Sequence, residues 1–306
     1  MGGGGLAAGI AVAVRSVRPE VRIVGVQAEG SAAAGTGPRP GPVVSGAVHD
    51  EGMVRRTSGG AGTDGAGARG AGARGTGADG ARADGSRAGA PVKAARRPQV
   101  RLPALRAHDG RPLAPDGDYD GLEFEGADFA GQDGAGARFM DCALRGCALD
   151  DTSLRRARVL DSVLTGVRGV GTDLAETTWR DVELTDARLG GVQLHGAVLE
   201  RVRIRGGKID YLNLRTARLR DVVFEGCVLV EPDFSGARLE RVEFVDCALK
   251  GVDFGAVTLR DVDLRRAASL EIARGVDRLA GAVIGTGQLL DLAPVLAAEL
   301  GLRVVD

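Results

Sequence analysis

From Phe124 to Leu264 a large apolar residue returns at every fifth position, through 29 positions without loss of register. Only Gly134 and Gly169 interrupt this column, and all seven phenylalanines of the chain stand in it. Two residues before each member runs a second column of small or β-branched residues, among them Ala127, Ala137, Cys142, Cys147, Thr152, Ala157, Val182 and Ala187. A period of five fits neither a helix nor a flat strand, so it predicts a repeat architecture.

Strand side chains alternate, so the two columns share an inward face and the residue between them points out. Those intermediate residues are mostly charged, as at Glu123, Asp128, Arg138, Arg158 and Arg168. Two positions beyond each large residue the column holds 12 Gly and 8 Asp. Both suit tight corners, Gly by admitting positive φ and Asp by bonding nearby amides. Each pentapeptide is therefore predicted to form one short side and one corner.

"CALRGCALDDTSLRRARVL" and "FSGARLERVEFVDCALKGVDF" resemble the pentapeptide-repeat family almost unit by unit, over about 118–270. Departures in the small column are Leu122, Gln132, Gly207, Leu212 and Pro232. The resemblance implies an all-β solenoid, a right-handed quadrilateral β-helix with four pentapeptides per coil. Some seven coils would make a rod roughly 34 Å long, with residues twenty apart stacked about 4.8 Å from each other. Two charge series agree with that stacking: Arg180, Glu200, Arg220, Glu240, Arg260, and in opposite phase Asp181, Arg201, Asp221, Arg241, Asp261. Like charges are disfavoured between strand neighbours. In such a coil, large residues ten apart face each other, which would set Gly169 opposite Trp179 and Gly134 opposite Phe124.

The rest of the chain divides into a segment at 1–34, a linker and lead-in at 35–112, the repeat region at 113–272 and a C-terminal cap at 273–306. Between Arg55 and Pro91 there is no Val, Ile, Leu, Met or aromatic residue, a composition that cannot bury a core and predicts disorder. Residues 35–112 carry a net charge of +7 and residues 118–272 a net charge of −7. Leu289, Leu292, Val295, Leu296 and Leu300 fall at helical spacing, interrupted by Pro294 and ended by Gly301. Solenoids need their open ends covered, so this helix is expected to cap the last coil. Family resemblance adds a possible homodimer contact through the same helix. The four cysteines, Cys142, Cys147, Cys227 and Cys247, all belong to the inward small column. They are expected to be buried reduced thiols, although Cys227 and Cys247 would be ladder neighbours. No metal site is expected, with His49, His108 and His195 scattered and no CxxC pair. No stretch has the length of a membrane span, and the N-terminus lacks a basic signal-peptide region, so a cytoplasmic protein is expected.

Residues 1–34 follow another logic. A glycine run precedes an expected helix from Leu6 to about Val17 and a strand from Val21 to Val26. Amides of a glycine loop at a helix start bind phosphate well. The segment resembles the pyridoxal-phosphate fold of threonine and serine dehydratases, and the resemblance implies that Gly2, Gly3, Gly4 and Gly5 form a phosphate loop. In that class the Schiff-base lysine lies well upstream of the loop, and no residue precedes Met1. The lysines are Lys93, Lys208 and Lys250, one in the lead-in and two outward on the repeats. A fragment of an open α/β sheet cannot bury its faces. No cofactor, no catalytic residue and no enzymatic activity are therefore expected, and a fusion remnant or an inaccurate gene start explains the segment.

For function, the expectation is a non-enzymatic scaffold or protein-binding module whose partner is unknown. Resemblance offers an alternative, a mimic of DNA that engages a type II topoisomerase, which needs a continuous acidic surface. The charge is instead banded: residues 116–150 have 9 acids against 2 bases, 151–220 have 9 against 13, and 221–263 have 10 against 4. In the middle band Arg168, Arg188 and Lys208 would stack into a ladder facing an anionic partner, unless they form only a solvated face. Neither direct nucleic-acid binding nor membrane association is expected.

Overall fold

The computed structural model describes Ile23–Val24 and residues 91–305. It is a parallel β-solenoid of about nine turns closed by a single C-terminal helix. Every repeat strand pairs with the strand twenty residues on: Phe124 with Leu144, Leu144 with Leu164, Leu184 with Ile204, Ile204 with Phe224, and Phe224 with Phe244. The turning positions explain the twenty-residue coil. Each corner residue from Gly126 to Asp261 has a left-handed backbone, including Asp141, Asp181, Arg201, Asp221 and Arg241. Arg266 breaks the series, and there the pairing slips by one residue, from Glu243–Asp263 to Ala248–Ser269.

Four faces result. The first is centred on Phe124, Leu144, Leu164 and their successors, the second on Phe129 and Leu149, the third on Leu154 and Leu174, the fourth on Phe139 and Val159. The inward columns fill the interior, and Phe224 stacks on Phe244 with ring centres 4.9 Å apart. The two interior voids around Trp179 hold only about 30 and 20 Å³, as close packing requires.

The turn count exceeds the seven coils of the sequence reading because each end adds rungs without the pentapeptide pattern. Arg106–Ala107 pairs with Leu122–Glu123, and Ala282–Val283 pairs with Val262–Asp263. Leu113 and Tyr119 plug the first coil; Tyr119 stacks on Phe139 with centres 4.9 Å apart. Gln132, a departure in the small column, accepts the Leu113 amide at 2.8 Å and donates to the Asp128 carbonyl at 2.8 Å. It serves as an N-terminal cap.

The two interrupting glycines stand on faces opposite their expected partners, Gly169 on the second face with Trp179 on the fourth and Gly134 on the third with Phe124 on the first. Space along the chain is tight at both as well. A Cβ on Gly134 would meet its axial neighbours Leu154 at 3.0 Å and Leu113 at 3.3 Å. A Cβ on Gly169 would meet the Leu149 carbonyl carbon, one coil back, at 2.8 Å and the Thr172 hydroxyl at 2.8 Å.

At the far end the helix Thr286–Glu299 runs through Pro294. Proline there costs the helix one internal hydrogen bond, and packing of Leu292 and Leu296 with Val276 and Leu270 holds it in place. Gln288 donates to the Leu264 carbonyl of the last coil at 2.7 Å and accepts the Gly285 amide at 2.8 Å. Leu290 and Val295 lie on its exposed side. Among the described residues no helix is long and apolar enough to cross a membrane. Of the strand expected at 21–26, Ile23–Val24 is described and pairs antiparallel with Arg303–Val304.

Candidate interaction surfaces

On the second face Arg188 pairs in register with Arg168 on one side and Lys208 on the other. The twenty-residue coil thus brings three cations of the sequence reading together, all exposed. Arg168 donates to the Gly146 carbonyl at 3.0 Å, and Lys208 pairs with Asp210 at 2.6 Å. Among the described residues Arg188 has no ion pair. The phosphate loop expected at Gly2, Gly3, Gly4 and Gly5 lies outside the described residues, as does the helix expected from Leu6.

The corner between the fourth and first faces carries the alternating charge series. Its register is as the sequence predicts, Arg180–Glu200–Arg220–Glu240–Arg260. Its ion pairs run along the second series and also cross-link it to the first. Arg201 holds both oxygens of Asp181 at 2.7 Å and also Glu200 at 2.6 Å. Two coils on, Arg241 repeats the arrangement with Asp221 and Glu240. The difference between the two copies is burial: Asp221 is 1 % exposed.

What buries Asp221 comes from the lead-in. Composition reads 35–112 as a disordered linker and lead-in, but from Pro91 the described chain lies on the solenoid as an extended strap. Val92, Ala95 and Pro98 are its shielded residues, spaced by three as in a polyproline-II-like chain. The strap crosses three coils. Its Lys93 amide donates to Asp261 at 3.3 Å, its Ala95 amide to Glu243 at 2.7 Å, and its Arg96 amide to Asp221 at 3.1 Å. Arg97 reaches Glu243 at 3.5 Å and Glu225 at 3.8 Å. Val223 and Val245 point outward by strand alternation yet are buried, because the strap covers this corner. A cavity of about 260 Å³ remains between Val92, Ala94, Glu243, Val245, Asp263 and Arg265.

The charges respond to this packing. Burial opposes ionisation of Asp221, but Arg241 and the Arg96 amide outweigh it and hold the carboxyl below its ordinary range. Arg203 does the same to Glu225. Asp161 moves the other way, raised by burial and by Asp181 and Asp141 above and below it.

The cysteines are free and buried. Three of them are more than small apolar fillers, because their thiols donate to the large-column carbonyl one coil back: Cys142 to Tyr119 at 3.3 Å, Cys147 to Phe124 at 3.4 Å, Cys227 to Ile204 at 3.3 Å. Thr152 and Thr172 do so with hydroxyls, to Phe129 and Leu149 at 2.7 Å each. Burial pushes the Cys142 and Cys147 thiols up; the neighbouring Cys247 sulfur, then burial, raises Cys227. Thiolate character, the basis of cysteine reactivity, is thereby suppressed at these three positions. Among the described residues no group of three metal-ligating side chains gathers.

Comparison with known proteins places these features. The family profiles described as pentapeptide repeat region and pentapeptide repeats match residues 137–214 and 217–255. Among solved structures, a trypsin-treated variant of QnrB1, a plasmid-mediated fluoroquinolone resistance protein, aligns at 17 % identity and TM-score 0.42, covering 65 % of this chain and 96 % of that one. HetL, a pentapeptide repeat protein involved in heterocyst differentiation regulation from the cyanobacterium Nostoc sp. strain PCC 7120, aligns at 19 % identity and TM-score 0.24, covering 57 % and 92 %. Separately, 33 residues are 64 % identical to the biosynthetic L-threonine dehydratase IlvA of Burkholderia multivorans, which is 11 % of this chain and 6 % of that enzyme. That short match is consistent with the dehydratase resemblance of residues 1–34. With its five-residue columns, left-handed corners and twenty-residue pairing, the solenoid of this chain belongs to the pentapeptide-repeat family.

Proposed function

We propose that this protein is a non-enzymatic scaffold that binds a protein partner through the outside of its solenoid. One observation carries the reading. The inward columns are packed to voids of about 30 Å³ or less, while the outward columns set like charges in register, as at Arg168, Arg188 and Lys208. Stacked cations repel each other unless an anion faces them. The ladder therefore fits an acidic protein segment running along the rod axis. The exposed Leu290 and Val295 offer the C-terminal helix as a homodimer contact. Against a DNA-mimic role, two features break a continuous acidic field: the central cation ladder, and the strap that lays Arg96 and Arg97 on the acidic corner.

The test is affinity capture with the full chain beside a variant carrying Arg168→Glu, Arg188→Glu and Lys208→Glu. All three side chains are exposed, so the variant should fold. A protein captured by the wild type and lost from the variant supports the reading; identical captures, or none by either, refute it.

A further inference from the structure

We infer that the corner covered by the strap is a peptide-binding groove that accepts an extended basic segment of another protein, with residues 92–98 as its built-in occupant. The inference rests on the scaffold reading but uses a different surface from the cation ladder.

The contacts show what the groove reads. Three carboxylates from three successive coils, Asp261, Glu243 and Asp221, each receive a main-chain amide of the strap. Main-chain recognition of this kind is indifferent to sequence and demands an extended chain. Selectivity comes from the side chains between. Ala95 is buried against the corner, and Pro98 is buried beyond it. Arg97 lies within 4 Å of both Glu225 and Glu243. Val223 and Val245 supply the apolar floor. The preferred ligand is thus an extended segment with an apolar residue, a small residue three positions on, two arginines, and then proline.

The occupant is held by contacts that another chain can reproduce. Lys93, Arg96 and Arg97 are themselves exposed, and exposed ion pairs contribute about 1 kcal/mol or less each. The intact strap, tethered to the first coil, acts at an effective concentration on the order of millimolar. It therefore masks the groove against a weak ligand until a stronger one, or a change in the strap, displaces it.

The probe is a fluorescein-labelled peptide of residues 91–102, titrated by anisotropy into the full chain and into the full-length Ala95→Asp variant, which sets a carboxylate against Glu243. Tryptic cleavage after Lys93, a site kept in every variant, mapped by mass, reports whether the strap has lifted. We expect faster cleavage in the variant, saturable peptide binding at least tenfold tighter than to the wild type, and loss of that binding on adding Glu243→Lys. The Arg168, Arg188 and Lys208 charge reversals should leave peptide binding unchanged, which separates this result from the ladder reading. Should Ala95→Asp misfold, Arg96→Ala with Arg97→Ala lifts the strap without touching buried packing. The inference is overturned if a chain with a lifted strap fails to bind the peptide, if binding survives Glu243→Lys, or if neither variant lifts the strap.

Discussion

Arg241 grips both carboxylate oxygens of Asp221, one coil away, at 2.6 and 2.9 Å, and the strap seals the pair from solvent. Its counterpart two coils earlier, Arg201 with Asp181, has the same fork geometry but stays partly solvated. The pairs therefore differ in one variable. Removing one partner of a buried pair strands a charge and costs about 3–5 kcal/mol, whereas an exposed pair contributes about 1 kcal/mol or less. Urea unfolding should show Arg241→Ala as much the more damaging of the two. Equal losses for Arg241→Ala and Arg201→Ala would show that the strap does not seal the Asp221 site.

Acid should act on the same corner. Asp221 and Glu225 titrate below their ordinary values of 3.8 and 4.5. Groups lowered by folding give stability that is present above those values and lost as the pH falls through the folded ones. The acid limb of the stability curve should accordingly be shallower in Asp221→Asn than in the wild type. Asp161 has the opposite sign, since its raised value makes ionisation costly near neutrality. Asp161→Asn keeps a residue that tolerates the left-handed corner and should raise the melting temperature at neutral pH, with the gain shrinking as the pH falls through the raised folded value and gone below the ordinary aspartate value of about 3.9.

Gly169 tests the packing along the axis. Its missing Cβ would lie 2.8 Å from the carbonyl carbon of Leu149, and backbone cannot swing aside as a side chain can. Gly169→Ala should cost about 1–3 kcal/mol as overpacking. Because the atoms nearest that Cβ belong to Leu149 and Thr172, Trp179→Leu should fail to rescue the alanine, and the two losses should add. A rescue would show that width across the coil limits the site.

The coil was legible in the sequence because its cause is local and repeated: inward columns of five and a turn residue at each corner. The twenty-residue register was implied by the family resemblance, and charge alternation agreed with it, as at Glu200 between Arg180 and Arg220. The cation ladder of Arg168, Arg188 and Lys208 was legible for the same reason. The strap was not. Val92, Ala95 and Pro98 are three modest residues spaced by three inside a Gly-, Ala- and Arg-rich stretch, and no five-residue template registers them. Asp221 was read as an exposed ladder member because its burial depends on a segment 125 residues away. The end rungs were missed because Arg106–Ala107 and Ala282–Val283 pair through main chain alone. The donor role of Cys142 and Thr152 was hidden because their position in the small column already explained their size.

The twenty-residue coil is what turns scattered residues into surfaces, and cross-linking measures it most directly. Arg188→Cys paired with Lys208→Cys puts two outward thiols on neighbouring strands, within the roughly 4.4–6.8 Å Cα separation that a disulfide spans. Arg188→Cys paired with Arg203→Cys, fifteen residues on, puts them on different faces. Mild oxidation of the full chain, read by mass and by peptide mapping, should close the first pair within the monomer and leave the second open. Closure of the second pair and not the first would contradict four pentapeptides per coil, and with it the ladder and the groove.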